Sequence, residues 1–166
     1  MSSTPETKPD SEVSESIQAP AAADTTIEAY GSCLCRAIIF TLTGAPLNTV
    51  LCHCSNCGHA SGVGFMANSF YAADQLQIKS QPSSTLKTYI DTNTDSGAVL
   101  QRQFCGDCGS PLFTRNEKME GFVVVCSGAL EREMGREWKP AMELWCKGRR
   151  GWVPEIEGTK MFEEMF

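Results

Sequence analysis

The chain has 166 residues, 42% of them hydrophobic, and a net charge of −6. That size predicts one domain with one real core. No apolar run nears the roughly 18 residues that a membrane-spanning helix needs, and the acidic balance disfavours nucleic acid and anionic membrane as partners.

Residues 1–28 are rich in Ser, Thr, Pro, Glu, Asp and Ala, with only Val13, Ile17 and Ile27 as scattered aliphatics. Such a segment cannot bury enough surface to offset its ordering entropy, so a disordered acidic tail is expected there and a folded domain over 29–166. The folded part reads as short strands and turns: 34–42, 65–71, 76–78, 86–90, 99–104 and 122–126 are β-branched, aromatic or alternating. Gly, Pro, Asn, Asp and Ser punctuate them. Helical periodicity is weak, with short helices expected around 57–60, 72–75 and 158–165.

Nine cysteines is a high count for this length. The first residues, Met1-Ser2-Ser3-Thr4-Pro5-Glu6, show no basic region followed by an apolar stretch, so a secretory signal is not expected. A reducing compartment, the cytoplasm, follows as the expectation, and there a cysteine cluster reads as metal or redox chemistry.

Seven of the nine fall into three groups: Cys33 and Cys35; Cys52, Cys54 and Cys57; Cys105 and Cys108. Cys105-Gly106-Asp107-Cys108-Gly109 reads as a knuckle, a tight turn whose glycines permit positive φ and whose two sulfurs supply half of a tetrahedral zinc site. On an extended strand Cys33 and Cys35 point to one face, so both can reach the same metal and close a four-cysteine structural site. The middle group offers three thiolates, which leaves a tetrahedral ion one position short. That is what a catalytic zinc requires. Spacing leaves open whether His53 or His59 completes this set, or whether ligands are exchanged among the groups. Cys126, in the apolar run 123–126, and Cys146, beside Trp145, read as core residues.

The order Gly31-x-Cys33-x-Cys35, then Cys52-His53-Cys54-x-x-Cys57, then Phe104-Cys105-x-x-Cys108-Gly109-x-Pro111-Leu112 resembles the glutathione-dependent formaldehyde-activating enzyme family, which includes centromere protein V-like proteins. A weaker match lies at Met142-Glu143-Leu144-Trp145 and Trp152. The resemblance spans about 29–155. It implies a mainly β fold, the β-tent, of short antiparallel strands organised around zinc with few short helices. It also implies a structural zinc on Cys33, Cys35, Cys105 and Cys108, a second zinc on Cys52, Cys54 and Cys57, and glutathione as cosubstrate. The associated reaction joins glutathione sulfur to formaldehyde, a carbon–sulfur lyase reaction written in reverse. Many relatives carry Arg-Lys where this chain has Gly58-His59, and often a His where it has Glu143.

The expected activity is therefore a carbon–sulfur lyase (EC 4.4.1-like) acting on a thiol adduct, with two Zn²⁺ per chain and the substrate bound as thiolate at the three-cysteine zinc. His53 and His59, the only histidines, are the candidates for proton transfer. The expected partner is a small thiol or thiol adduct. Two alternatives stand beside this one. The first is a noncatalytic zinc module for protein interaction. The second is a methionine-sulfoxide-type reductase using Cys126, which would need an exposed, low-pKa thiol.

Overall fold

A computed structural model describes residues 28–80 and 86–165. The expected tail over 1–28 lies outside them except for Glu28, which begins the first strand. The protein is mainly β, as the sequence implied. In chain order the elements are β1 (Glu28–Ser32), β2 (Ile38–Thr43), β3 (Asn48–Cys52), α1 (Ser55–Ser61), β4 (Met66–Ala72), β5 (Leu76–Ser80), β6 (Leu86–Asp91), β7 (Leu100–Cys105), β8 (Pro111–Asn116), β9 (Phe122–Cys126), α2 (Arg132–Glu137), β10 (Met142–Leu144) and β11 (Lys160–Met161).

Two sheets result. The smaller has the order β1-β2-β5, and the larger runs β11-β10-β3-β4-β9-β8-β7-β6. Pairing is antiparallel except at β10, which runs parallel to both β3 and β11. The sheets pack through residues that alternate along their strands, because successive side chains of a strand point to opposite faces. Ile38, Phe40 and Leu42 of β2 are fully buried, and they meet Tyr71, Phe113, Val123 and Val125 of the large sheet. The rings of Phe40 and Phe113 meet edge to face, 5.0 Å between centroids.

The opposite face of the large sheet carries the other half of each alternation. Cys52 stands across from Met66, and Val50 across from Asn68. Phe70 stands across from Val124, Val124 from Thr114, and Thr114 from Arg102. Directly opposed residues share a face, so one continuous surface runs from β3 to β7. The second cluster of buried apolar residues, including Val50, Met66, Cys126, Leu144 and Trp145, lies on this side.

Three local expectations differ. The first hairpin's second strand begins at Ile38 rather than at 34, because residues 33–37 turn: Arg36 N–H donates to the Cys33 carbonyl at 3.0 Å, and Arg36 has φ 62°. Residues 158–165 form no helix. Their backbone bonds to the rest of the fold run to the 141–147 segment, with Lys160 N–H to Ala141 O at 3.0 Å, Trp145 N–H to Glu164 O at 3.0 Å and Phe162 N–H to Glu143 O at 2.9 Å. In the 105–109 knuckle only Gly109 takes a positive φ, 74°.

Candidate metal centre

The sulfurs sort into a four and a three. Those of Cys33, Cys35, Cys105 and Cys108 all lie within 4.8 Å of one another, and so do those of Cys52, Cys54 and Cys57. All nine cysteines are free thiols.

In the first group Cys33 and Cys35 do not share a strand face. They occupy the turn between β1 and β2, where Ile38 N–H donates to Cys33 Sγ at 3.3 Å. The sulfurs of Cys33 and Cys35 stand 3.5 Å apart and those of Cys35 and Cys105 3.7 Å apart. Four sulfurs bonded to one zinc at about 2.3 Å stand about 3.8 Å from each other at tetrahedral corners, so this donor set fits zinc. Hydrogen bonds from the Ser110 hydroxyl and then from the Ser110 and Cys35 backbone lower the Cys108 pKa to about 5. Cys33 and Cys105 also belong to the main core cluster. This group therefore clamps the β1–β2 turn of the small sheet to the β7–β8 turn of the large one.

The second group sits at the junction of β3 and α1. Cys52 ends the strand and Cys54 is the N-cap of the helix, its sulfur accepting from Cys57 N–H at 3.3 Å. Cys57 lies in the first helical turn. Hydrogen bonds from Cys52 and Cys57, the Cys57 N–H and the charge of Arg102 lower the Cys54 pKa to about 3. Three sulfurs this close together fit a thiophilic metal.

Two polar networks hold this junction. In one, Asn56, between the cysteines, donates to the Asn93 carbonyl at 2.8 Å and to Asp91, while Asp95 accepts from Ser55 N–H at 2.7 Å. Arg102 Nε donates to Asp91 Oδ2 at 2.7 Å, and its guanidinium also reaches Cys57. In the other, His53 N–H donates to the Leu144 carbonyl at 2.9 Å and its Nε2 to Glu143 Oε2 at 2.8 Å. Glu143, fully buried, also accepts from Arg149 Nη2 (3.0 Å), Thr159 Oγ1 (2.8 Å) and Ile156 N–H (3.3 Å). Burial pushes the Glu143 carboxyl up, but the hydrogen bond from His53, those from Thr159 and Ile156, and the Arg149 charge outweigh it and hold the pKa below its ordinary value.

The two candidate histidines sit in different settings. The His53 side chain has no exposed surface and its Nε2 is engaged by Glu143. His59 is exposed in the last turn of α1 and lines neither cavity beside the cysteines. Cys126 is buried, and burial pushes its thiol up to about 12, the reverse of a reactive cysteine. Glu143 and Arg102 are the residues that the sequence reading left out of the site. For Glu143 the only available signal was an acidic residue between Met142 and Leu144-Trp145, in an otherwise apolar run.

Two cavities meet here. The first, about 130 Å³, lies on the large sheet's open face and is lined by Cys52, Cys54 and Cys57 together with Phe70, Val124 and Arg102. The second, about 400 Å³, is lined by His53, Gly148, Lys147 and Arg150. Cys54, Asp95 and Trp145 line both. Trp145 takes φ 58°, the left-handed region that a bulky residue rarely adopts.

A family model described as glutathione-dependent formaldehyde-activating enzyme matches residues 28–148. A crystal structure of a Rhodobacter sphaeroides protein is similar with 19% identity and a TM-score of 0.49, over 62% of this chain and 88% of that one. No curated protein matches.

Proposed function

The chain belongs to the glutathione-dependent formaldehyde-activating enzyme family, and from that premise we propose that it is a zinc-dependent carbon–sulfur lyase acting on the adduct of a glutathione-type thiol with an aldehyde. The observation that carries this reading is the three-sulfur cluster beside a cavity. Among the described residues no fourth His, Cys, Asp or Glu joins Cys52, Cys54 and Cys57, so the donor set leaves room for a guest sulfur. Four sulfurs in the other group leave none, which suits a structural zinc.

In the cleavage direction the C–S bond breaks and its electron pair stays on sulfur as thiolate. The adduct's hydroxyl loses its proton to water, and its oxygen becomes the aldehyde carbonyl. The reverse direction forms the same bond, and neither direction changes oxidation state overall. Zinc, when bound, would supply a Lewis acid that lowers the cost of the thiolate. The protein's own residues would do the rest. Cys52, Cys54 and Cys57 would hold the ion. Arg102 would offset their negative charge, since its guanidinium reaches Cys57. Glu143 would fix the Cys52-His53-Cys54 bend through His53, a positioning role. Lys147 and Arg150, on the second cavity, would face the carboxylates of the thiol, a task for which the position after Cys57 offers only Gly58-His59.

No helix among the described residues is long and apolar enough to cross a membrane. A reducing cytoplasm would keep the nine thiols available for metal.

The test measures zinc per chain and the rate of adduct formation from glutathione and aldehyde by NMR exchange, in wild type and Cys54→Ala. The lyase reading expects the variant to stay folded, keep one zinc and lose the catalysed rate. Zinc-loaded wild type with no rate above the uncatalysed one, across several aldehydes, would leave a noncatalytic zinc module instead.

A further inference from the structure

The two cavities differ in chemistry. The first lies on the open face of the large sheet, where Val50, Met66, Phe70 and Val124 from three neighbouring strands, with Leu144 and Trp145, supply most of its wall and Asn68, Thr114 and Arg102 supply polar points between them. Its one cation, Arg102, is paired through Nε with Asp91 at 2.7 Å, with its Nη2 buried and unpartnered, and Asp95 adds an acid, so the cavity carries no excess of positive charge. The second is larger and carries Lys147 and Arg150. Lys147 pairs with Glu164, whereas Arg150 makes no ion pair among the described residues. Cys54 and Trp145 line both.

An adduct whose sulfur sits at Cys54 therefore meets an apolar compartment on one side and a basic one on the other. A hydroxymethyl group would fill little of the first. A cavity of about 150 Å³ takes a molecule the size of benzene, and this one measures about 130 Å³.

We infer that the group carried on the adduct's sulfur is an apolar alkyl or aryl carbinol, much larger than hydroxymethyl, lying on the sheet face between Val50, Phe70 and Val124 while the charged part of the thiol occupies the basic compartment. This rests on the lyase reading for its reaction, but the binding preference can be measured without it. The aldehyde partner is then an aliphatic or aromatic one rather than formaldehyde.

The experiment titrates the zinc-loaded full-length protein, by calorimetry, with three thioethers that lack the hydroxyl and cannot be cleaved: S-methyl-, S-hexyl- and S-benzylglutathione. Each buried methylene adds a similar increment, so the hexyl and benzyl compounds are expected to bind at least about tenfold tighter than the methyl one. Val124→Phe, which fills the cavity, should erase that difference while the zinc count stays at the wild-type value. Equal affinities across the series, or no binding by any member, overturns the inference. The reaction is read separately: if benzaldehyde and glutathione equilibrate at the uncatalysed rate while the preference persists, the lyase reading fails and the apolar compartment stands.

Discussion

Glu143 Oε2 and His53 Nε2 stand 2.8 Å apart across 90 residues of sequence, and neither side chain has exposed surface. Through this contact the parallel strand β10 holds the bend that carries Cys52 and Cys54. A charge this deep survives only with partners, and Glu143 has four: His53, Arg149, Thr159 and the Ile156 N–H.

Removing the carboxylate should be expensive. Glu143→Ala leaves the Arg149 charge without its buried partner and is expected to lower stability by about 3–5 kcal/mol in urea denaturation. Glu143→Gln keeps the shape and some hydrogen bonds, and should lose less.

The same carboxyl predicts a pH signature. Its folded pKa lies below the ordinary value of 4.5, so its contribution is complete above about pH 5 and is lost as pH falls through the folded pKa. The stability gap between wild type and Glu143→Gln should stay constant from about pH 7 to pH 5 and shrink below about pH 4. A gap that widens on acidification would contradict this sign.

Much of this was legible in the cysteine spacing, and the limits were physical. The split of sulfurs into four and three follows from how many cysteines each turn can present. The reason offered for Cys33 and Cys35, a shared strand face, does not hold, because a turn with Arg36 at φ 62° brings the sulfurs together instead. The strands β3, β8, β10 and β11 gave weak periodic signals. β10 has three residues and draws its stability from β3 and β11 rather than from its own sequence. Glu143 was read as a departure from relatives, since only the fold shows Arg149, Thr159 and His53 converging on it.

Arg102 and Asp91 are largely buried, with side chains 14% and 9% exposed. A double-mutant cycle with Arg102→Met and Asp91→Asn should give a coupling of about 1–3 kcal/mol. Arg102→Met should also weaken zinc at the three-cysteine site without touching the four-cysteine one, read by competition with a chelator.

Gly31 has no room for a side chain. A Cβ there would stand 2.1 Å from the Phe40 ring and 2.7 Å from the Ala129 carbonyl. Gly31→Ala is expected to cost about 1–3 kcal/mol, or more if Phe40 cannot move, in the same denaturation assay.

Cys126 gives a contrasting case. It is buried beside Met66 and outside both sulfur groups, so Cys126→Ala should leave the zinc count unchanged and cost only about 1 kcal/mol.

Cadmium NMR of the metal-substituted protein addresses the unequal sulfur counts most directly. Two resonances are predicted, one already at a four-sulfur shift and indifferent to added glutathione, the other at a three-sulfur shift that moves toward the first as the thiol binds. A single resonance, or two four-sulfur resonances before any thiol is added, would contradict an open site at Cys52, Cys54 and Cys57.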